Sequence, residues 1–227
     1  SIAVREVTGQ TAIISYYDST NSALKVAVCN NIRCTSASTF PLDSDGDVGR
    51  YSSIAIPRGD GRPVISYRDS TNSTVKVAKC ANSACTGTTT ITTIEATSVA
   101  STGTSIAITD GGIPRVSYIE ATSDDVRIAQ CSNAACTSVS GFSGFASSGT
   151  LDQTSLAIRP QNIPAVTFYD STNGDLRFTT CFDDLCSSGT ISTSPDNTGA
   201  VGLYSSLAIA ADGRPVVAYY DSTNADL

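Results

Sequence analysis

Short runs of alternating apolar and polar residues recur along the chain, separated by polar, glycine-containing turns. One unit shows the order. Ser53-Ile54-Ala55-Ile56 predicts a short strand with Ile54 and Ile56 on one face, because side chains alternate across a strand. Pro57 to Arg62 contains Gly59, Asp60 and Gly61, which supply turn conformations. Pro63-Val64-Ile65-Ser66-Tyr67 is β-branched and aromatic, with proline tolerated at a strand start. Asp69-Ser70-Thr71-Asn72 is a polar hairpin loop, and Val75 to Cys80 returns antiparallel with Lys76 on the face opposite its apolar residues. After a cysteine hairpin, the Thr- and Ile-rich stretch from Thr88 to Ile94 predicts a fourth, outer strand.

The unit repeats. The motif Ser-[Ile/Leu]-Ala-[Val/Ile] begins at Ser1, Ser53, Ser105, Ser155 and Ser206, in steps of 52, 52, 50 and 51. Four short antiparallel strands per repeat of this length are the sequence form of a β-propeller blade. The chain is therefore expected to be all-β, one propeller domain over residues 1–227 with five blades. Ala3, Ala55, Ala107, Ala157 and Ala208 suit innermost strands, which crowd together around the axis. The fifth repeat stops at Leu227, before its third strand, and this blade is expected to be incomplete here. Its open edge is expected to be completed by further chain or covered by another molecule, with self-association through that half blade as the consequence.

The motif D-G-x-P-x-[IV]-[SA]-Y-x-D followed by L-[KR]-[VI]-A is carried by Asp60-Gly61-Arg62-Pro63 through Lys76 and, up to Asp221, by Asp212-Gly213-Arg214-Pro215. It resembles repeats of secreted bacterial β-propeller proteins. The third and fourth copies depart from it, with Gly112-Ile113-Pro114 and Asn162-Ile163-Pro164 before the strand. The resemblance implies a blade and not a particular activity.

Composition narrows the setting. The net charge is −7, and the 14 basic residues are scattered without a run, which argues against nucleic acid and anionic membrane surfaces as partners. No apolar stretch is long enough for a membrane-spanning helix, so no membrane insertion is expected. Cys29 and Cys34, Cys80 and Cys85, Cys131 and Cys136, and Cys181 and Cys186 form four C-x4-C pairs. Their even number and regular spacing predict one disulfide per repeat and an extracellular or cell-surface location. Zinc would need two pairs to converge, yet each repeat holds only one, and the chain has no His.

Candidate chemistry also comes in repeats. Asp18, Asp69, Asp170 and Asp221 open Asp-Ser-Thr-Asn loops, and Glu120 opens the third version. Lys25, Lys76, Arg127 and Arg177 begin the third strands, opposite Tyr16, Tyr67, Tyr118 and Phe168. These residues read either as turn chemistry with cross-strand pairing or as a ligand rim in which Tyr, Asp and Lys hold a sugar. Asp43, Asp45 and Asp47 resemble part of a calcium loop without its distal Glu, and read foremost as a solvated acidic turn; no other cofactor is expected. Asn72-Ser73-Thr74 is an N-glycosylation sequon.

With no His, and with the cysteines committed to bridges, nucleophilic catalysis lacks its usual parts. Glycoside hydrolysis needs unlike carboxylates at one pocket, whereas the repeated ones are near-identical. The sequence therefore predicts a non-catalytic extracellular structural or adhesive module, partnered by its own copies or by neighbouring extracellular domains. The alternative is a lectin-like propeller binding glycans multivalently.

Overall fold

The computed structural model describes residues 1–5, 11–95, 100–145 and 150–227, apart from the side chains of residues 100–102. The described chain is all-β apart from one 3-10 turn at Pro160–Asn162, and no helix in it is long and apolar enough to cross a membrane. Blade 1 contains β1 (Ile2–Val4), β2 (Ala12–Asp18), β3 (Ala23–Cys29) and β4 (Ala37–Asp43). Blade 2 contains β5 (Val48–Ala55), β6 (Val64–Asp69), β7 (Thr74–Lys79) and β8 (Thr90–Glu95). Blade 3 contains β9 (Ala100–Ile108), β10 (Pro114–Glu120), β11 (Asp125–Cys131) and β12 (Val139–Phe145). Blade 4 contains β13 (Leu151–Ile158), β14 (Pro164–Asp170), β15 (Asp175–Cys181) and β16 (Thr190–Asp196). The fifth sheet pairs β17 (Val201–Ile209) with β18 (Pro215–Asp221).

Each four-stranded sheet runs in chain order with antiparallel neighbours, so each blade is a meander whose first strand is innermost. The register is the one that buries the apolar face: Tyr67 lies opposite Lys76, and Ile65 opposite Ala78. The core lies between blades. Ile13, Leu24 and Val26 of blade 1 pack with Val48, Ile54, Ile65 and Tyr67 of blade 2, and the next two joints repeat this arrangement.

Hydrogen bonds cross the same joints. A hydroxyl on the second strand of one blade meets a hydroxyl on the inner strand of the next: Ser15 with Ser52, Ser66 with Thr104, Ser117 with Thr154, and Thr167 with Ser205, at 2.8–3.0 Å. The motif serines act likewise. Ser53, Ser105 and Ser155 Oγ accept from the backbone N–H of Ile106, Leu156 and Leu207 in the following blade, at 2.9–3.2 Å. These contacts satisfy polar groups that the crowded axis would otherwise bury unpaired.

All eight cysteines are bridged within their own repeats, as Cys29–Cys34, Cys80–Cys85, Cys131–Cys136 and Cys181–Cys186. The inner strand of blade 2 differs from expectation. It begins at Val48, five residues before Ser53, because two register shifts carry the chain through Gly49-Arg50-Tyr51 without ending the pairing.

Candidate functional site

The inner strands start beside the loops that join second and third strands: Val48 pairs with Asp69, Leu151 with Asp170 and Val201 with Asp221. The connections between blades therefore share one face with the Asp-Ser-Thr-Asn loops. The first-to-second hairpins and the cysteine loops occupy the other face.

The repeated loop carboxylates act on their own turns. Asp18, Asp69, Asp170 and Asp221 each accept from the backbone N–H and the side-chain amide of the loop Asn, and Glu120 accepts from Thr122 and Ser123. Thr71, Thr172 and Thr223 accept from the N–H groups of Asp47, Thr150 and Ala200, fastening the connection that leads into the same blade. Asn72, the sequon residue, is tied to Asp69.

The basic residues divide. Lys25 pairs with Asp18 at 3.3 Å, and Lys76 with Asp69 at 2.7 Å and Asp43 at 3.5 Å. Arg127 instead reaches Glu95 at 3.2 Å, and Arg177 bonds Ser192 and Ser194. Tyr16 is half-buried, while Tyr67 and Tyr118 are buried at 0% and 1% exposure, with Asp69 and Asp170 at 0% and 2%. These buried groups bond to the protein itself.

Tyr67 donates its hydroxyl to Asp43 of the preceding blade at 2.7 Å, Tyr118 to Glu95 at 3.1 Å, and Tyr219 to Asp196 at 2.7 Å. Burial, then the carboxylate, pushes the Tyr67 and Tyr118 hydroxyls well above the usual phenol range, which keeps them donors. At the remaining joint both positions are apolar, and Phe145 and Phe168 share one cluster. The carboxylates of the acidic turn point different ways. Asp43 faces Tyr67 and Lys76, Asp47 accepts from Tyr17 and Arg50, and Asp45 is exposed. Among the described residues, no group of three acidic or cysteine side chains is placed to hold a metal.

What remains at the mouth of the axis is not repeated. Each inner strand from blade 2 onward passes through a left-handed residue just after its start: Tyr51 (φ 53°), Gly103 (69°), Gln153 (54°) and Tyr204 (54°). The glycine is at home there, and an added Cβ would lie 2.8 Å from the Gln153 backbone. Gln153 Oε1 accepts from the N–H of Tyr204 at 2.7 Å, and Thr104 Oγ1 donates to the carbonyl of Tyr51 at 2.9 Å. Beside Gln153 stands Asp152, the one acidic residue on the described inner strands, aligned with Arg50 and Leu203 in other blades. Its Oδ1 is buried, with no hydrogen-bond partner among the described residues. Sequence reasoning passed over Asp152 because it searched for residues that recur, and the signal here is a departure from the repeat.

Neither a family model nor a curated protein sequence matches the chain. Solved structures do. A protein of unknown function from Dyadobacter fermentans superposes with TM-score 0.66 at 11% identity, over 96% of this chain and 71% of that one. An α-L-arabinofuranosidase from Lactobacillus brevis gives 0.59 at 11%, over 99% and 83%. An exo-β-1,3-galactanase from Phanerochaete chrysosporium gives 0.60 at 11%, over 99% and 61%. The expectation of a structural or adhesive module, or of a lectin-like one, without catalysis is corrected by these neighbours. It took repetition to exclude an enzyme, yet the same architecture carries an arabinofuranosidase and a galactanase. At these identities the likeness is one of fold, and the fold of this chain is a β-propeller of about five blades.

Proposed function

We propose that this chain is an extracellular carbohydrate-active propeller that hydrolyses glycosidic bonds at the axial mouth. The observation that carries the reading is Asp152, a non-repeated carboxylate on an inner strand whose Oδ1 has no hydrogen-bond partner among the described residues. Cleavage of a glycosidic bond passes through an oxocarbenium-like state, and a carboxylate at the reacting carbon either stabilises that charge or takes the proton of the attacking water. A second carboxylate belongs to such chemistry. Asp45, on the connection into blade 2 and on the same face, is exposed, and among the described residues its side chain has no hydrogen-bond partner. The arabinofuranosidase and galactanase among the structural neighbours support pentose- or galactose-containing glycans as the substrate class. Four disulfides support action outside the cell.

The test is sugar release from arabinan, xylan and β-1,3-galactan, alongside aryl α-L-arabinofuranoside and β-D-xyloside. Asp152→Asn is expected to lower kcat by about a hundredfold or more, the scale of losing one acid–base group. Asp45→Asn separates the second role. No release from any of these substrates, or full activity in Asp152→Asn, overturns the reading.

A further inference from the structure

Tyr51 and Tyr204 occupy one position of the repeat, in the segments Arg50-Tyr51-Ser52-Ser53 and Leu203-Tyr204-Ser205-Ser206. Both hold the left-handed backbone, at φ 53° and 54°, which is unfavourable for a bulky side chain. A ring usually repays such strain by packing. Here the two residues are 46% and 71% exposed, so neither is a core side chain. The third blade uses Gly103 at this position, so the bulge itself does not need a side chain. The backbones of both tyrosines are nevertheless fixed from a neighbouring blade, Tyr51 through its carbonyl by Thr104 and Tyr204 through its N–H by Gln153. In each case a strained backbone is pinned while much of the residue stays at the surface.

Aromatic faces held in place at little entropic cost suit a ligand with an apolar face and polar edges. A sugar ring has that shape: its axial C–H groups form a face, and its hydroxyls point sideways. We infer that Tyr51 and Tyr204 are two stacking subsites for a glycan chain, one on each side of the inner strands of blades 3 and 4. A chain reaching both tyrosines spans the mouth at which Asp152 stands, so the pair selects oligosaccharides over single sugars. This inference rests on the reading of the mouth as a glycan site.

The strain gives the test two independent readouts. In the 227-residue chain, Tyr51→Gly and Tyr204→Gly relieve the left-handed backbone and are expected to raise the melting temperature by about 2–4 °C each. In an Asp152→Asn background, calorimetric titration with arabinohexaose, xylohexaose and β-1,3-galactotriose is expected to show about tenfold weaker binding for each glycine variant. Tyr51→Phe and Tyr204→Phe keep the ring face and are expected to bind within about twofold of the parent. A lower melting temperature in the glycine variants makes the rings packing elements and overturns the inference. Unchanged affinity in the glycine variants, with hydrolysis intact in the wild type, overturns the subsites and leaves the hydrolase reading standing. An active wild type whose Asp152→Asn form binds none of the three also overturns the subsites, whereas no binding together with no hydrolysis overturns both.

Discussion

Tyr67, Tyr118 and Tyr219 give their hydroxyl hydrogens to Asp43, Glu95 and Asp196, each at the end of the previous blade's fourth strand. Phe168 and Phe145 occupy the same two positions at the remaining joint, so the donor and the acceptor are both absent there. Phe168→Tyr alone would bury a hydroxyl against Phe145, which is expected to cost about 1–3 kcal/mol. Adding Phe145→Glu supplies the acceptor and is expected to recover much of that loss, measured as the coupling energy of a double-mutant cycle in urea. Simple additivity of the two changes would contradict the pairing. The pairing of Tyr67 with Lys76 across one hairpin was legible in the sequence, because both lie in one repeat. The carboxylate was not, because it stands 24 residues upstream, on another blade.

Among the elements, the cysteine loops were fully legible, since fixed spacing beside a hairpin leaves few other geometries. Each loop is also tied by Asn31, Asn82, Asn133 or Asp183, whose side chain accepts the backbone N–H groups two and four residues on. An Asx residue three positions before every second cysteine was a readable sign of this. Replacing Cys131 and Cys136 by Ala is expected to lower stability by about 2 kcal/mol, the chain-entropy value for so short a loop. Thermal unfolding would register that as a drop of about 4–8 °C. The beginnings of the inner strands were not legible. Gly49-Arg50-Tyr51 breaks the alternation that marks a strand, and only the bulge geometry shows that pairing continues through it.

For the molecule as a whole, charge and pH are linked through the turn carboxylates. Asn21, against some burial, holds Asp18 below the usual range, and Asn224 does the same for Asp221. Burial opposes the charge of Asp69, but Asn72 and Lys76 outweigh it and lower its pKa. A carboxylate depressed in the folded state contributes stability above its unfolded value and loses it as pH falls through the folded one. Stability is therefore expected to hold level near neutrality and to fall below about pH 4. Denaturant midpoints measured from pH 7 to 2 check this, and the gap between wild type and Asp69→Asn is expected to close as the pH drops. The propeller was legible at this scale because repetition displays what all blades share. Repetition also hides what differs between blades, and Asp152, Tyr51 and Tyr204 are such differences. The Phe145–Phe168 joint has a consequence of the same kind. Joints made by tyrosine and carboxylate carry a hydrogen bond at these two positions, whereas the phenylalanine joint is wholly apolar there. Chain connectivity already sets the order of the blades, so what the phenylalanine joint adds is a seam beside blade 4 that replaces a directional bond by apolar contact, and the ring is uneven at the blade that carries Asp152.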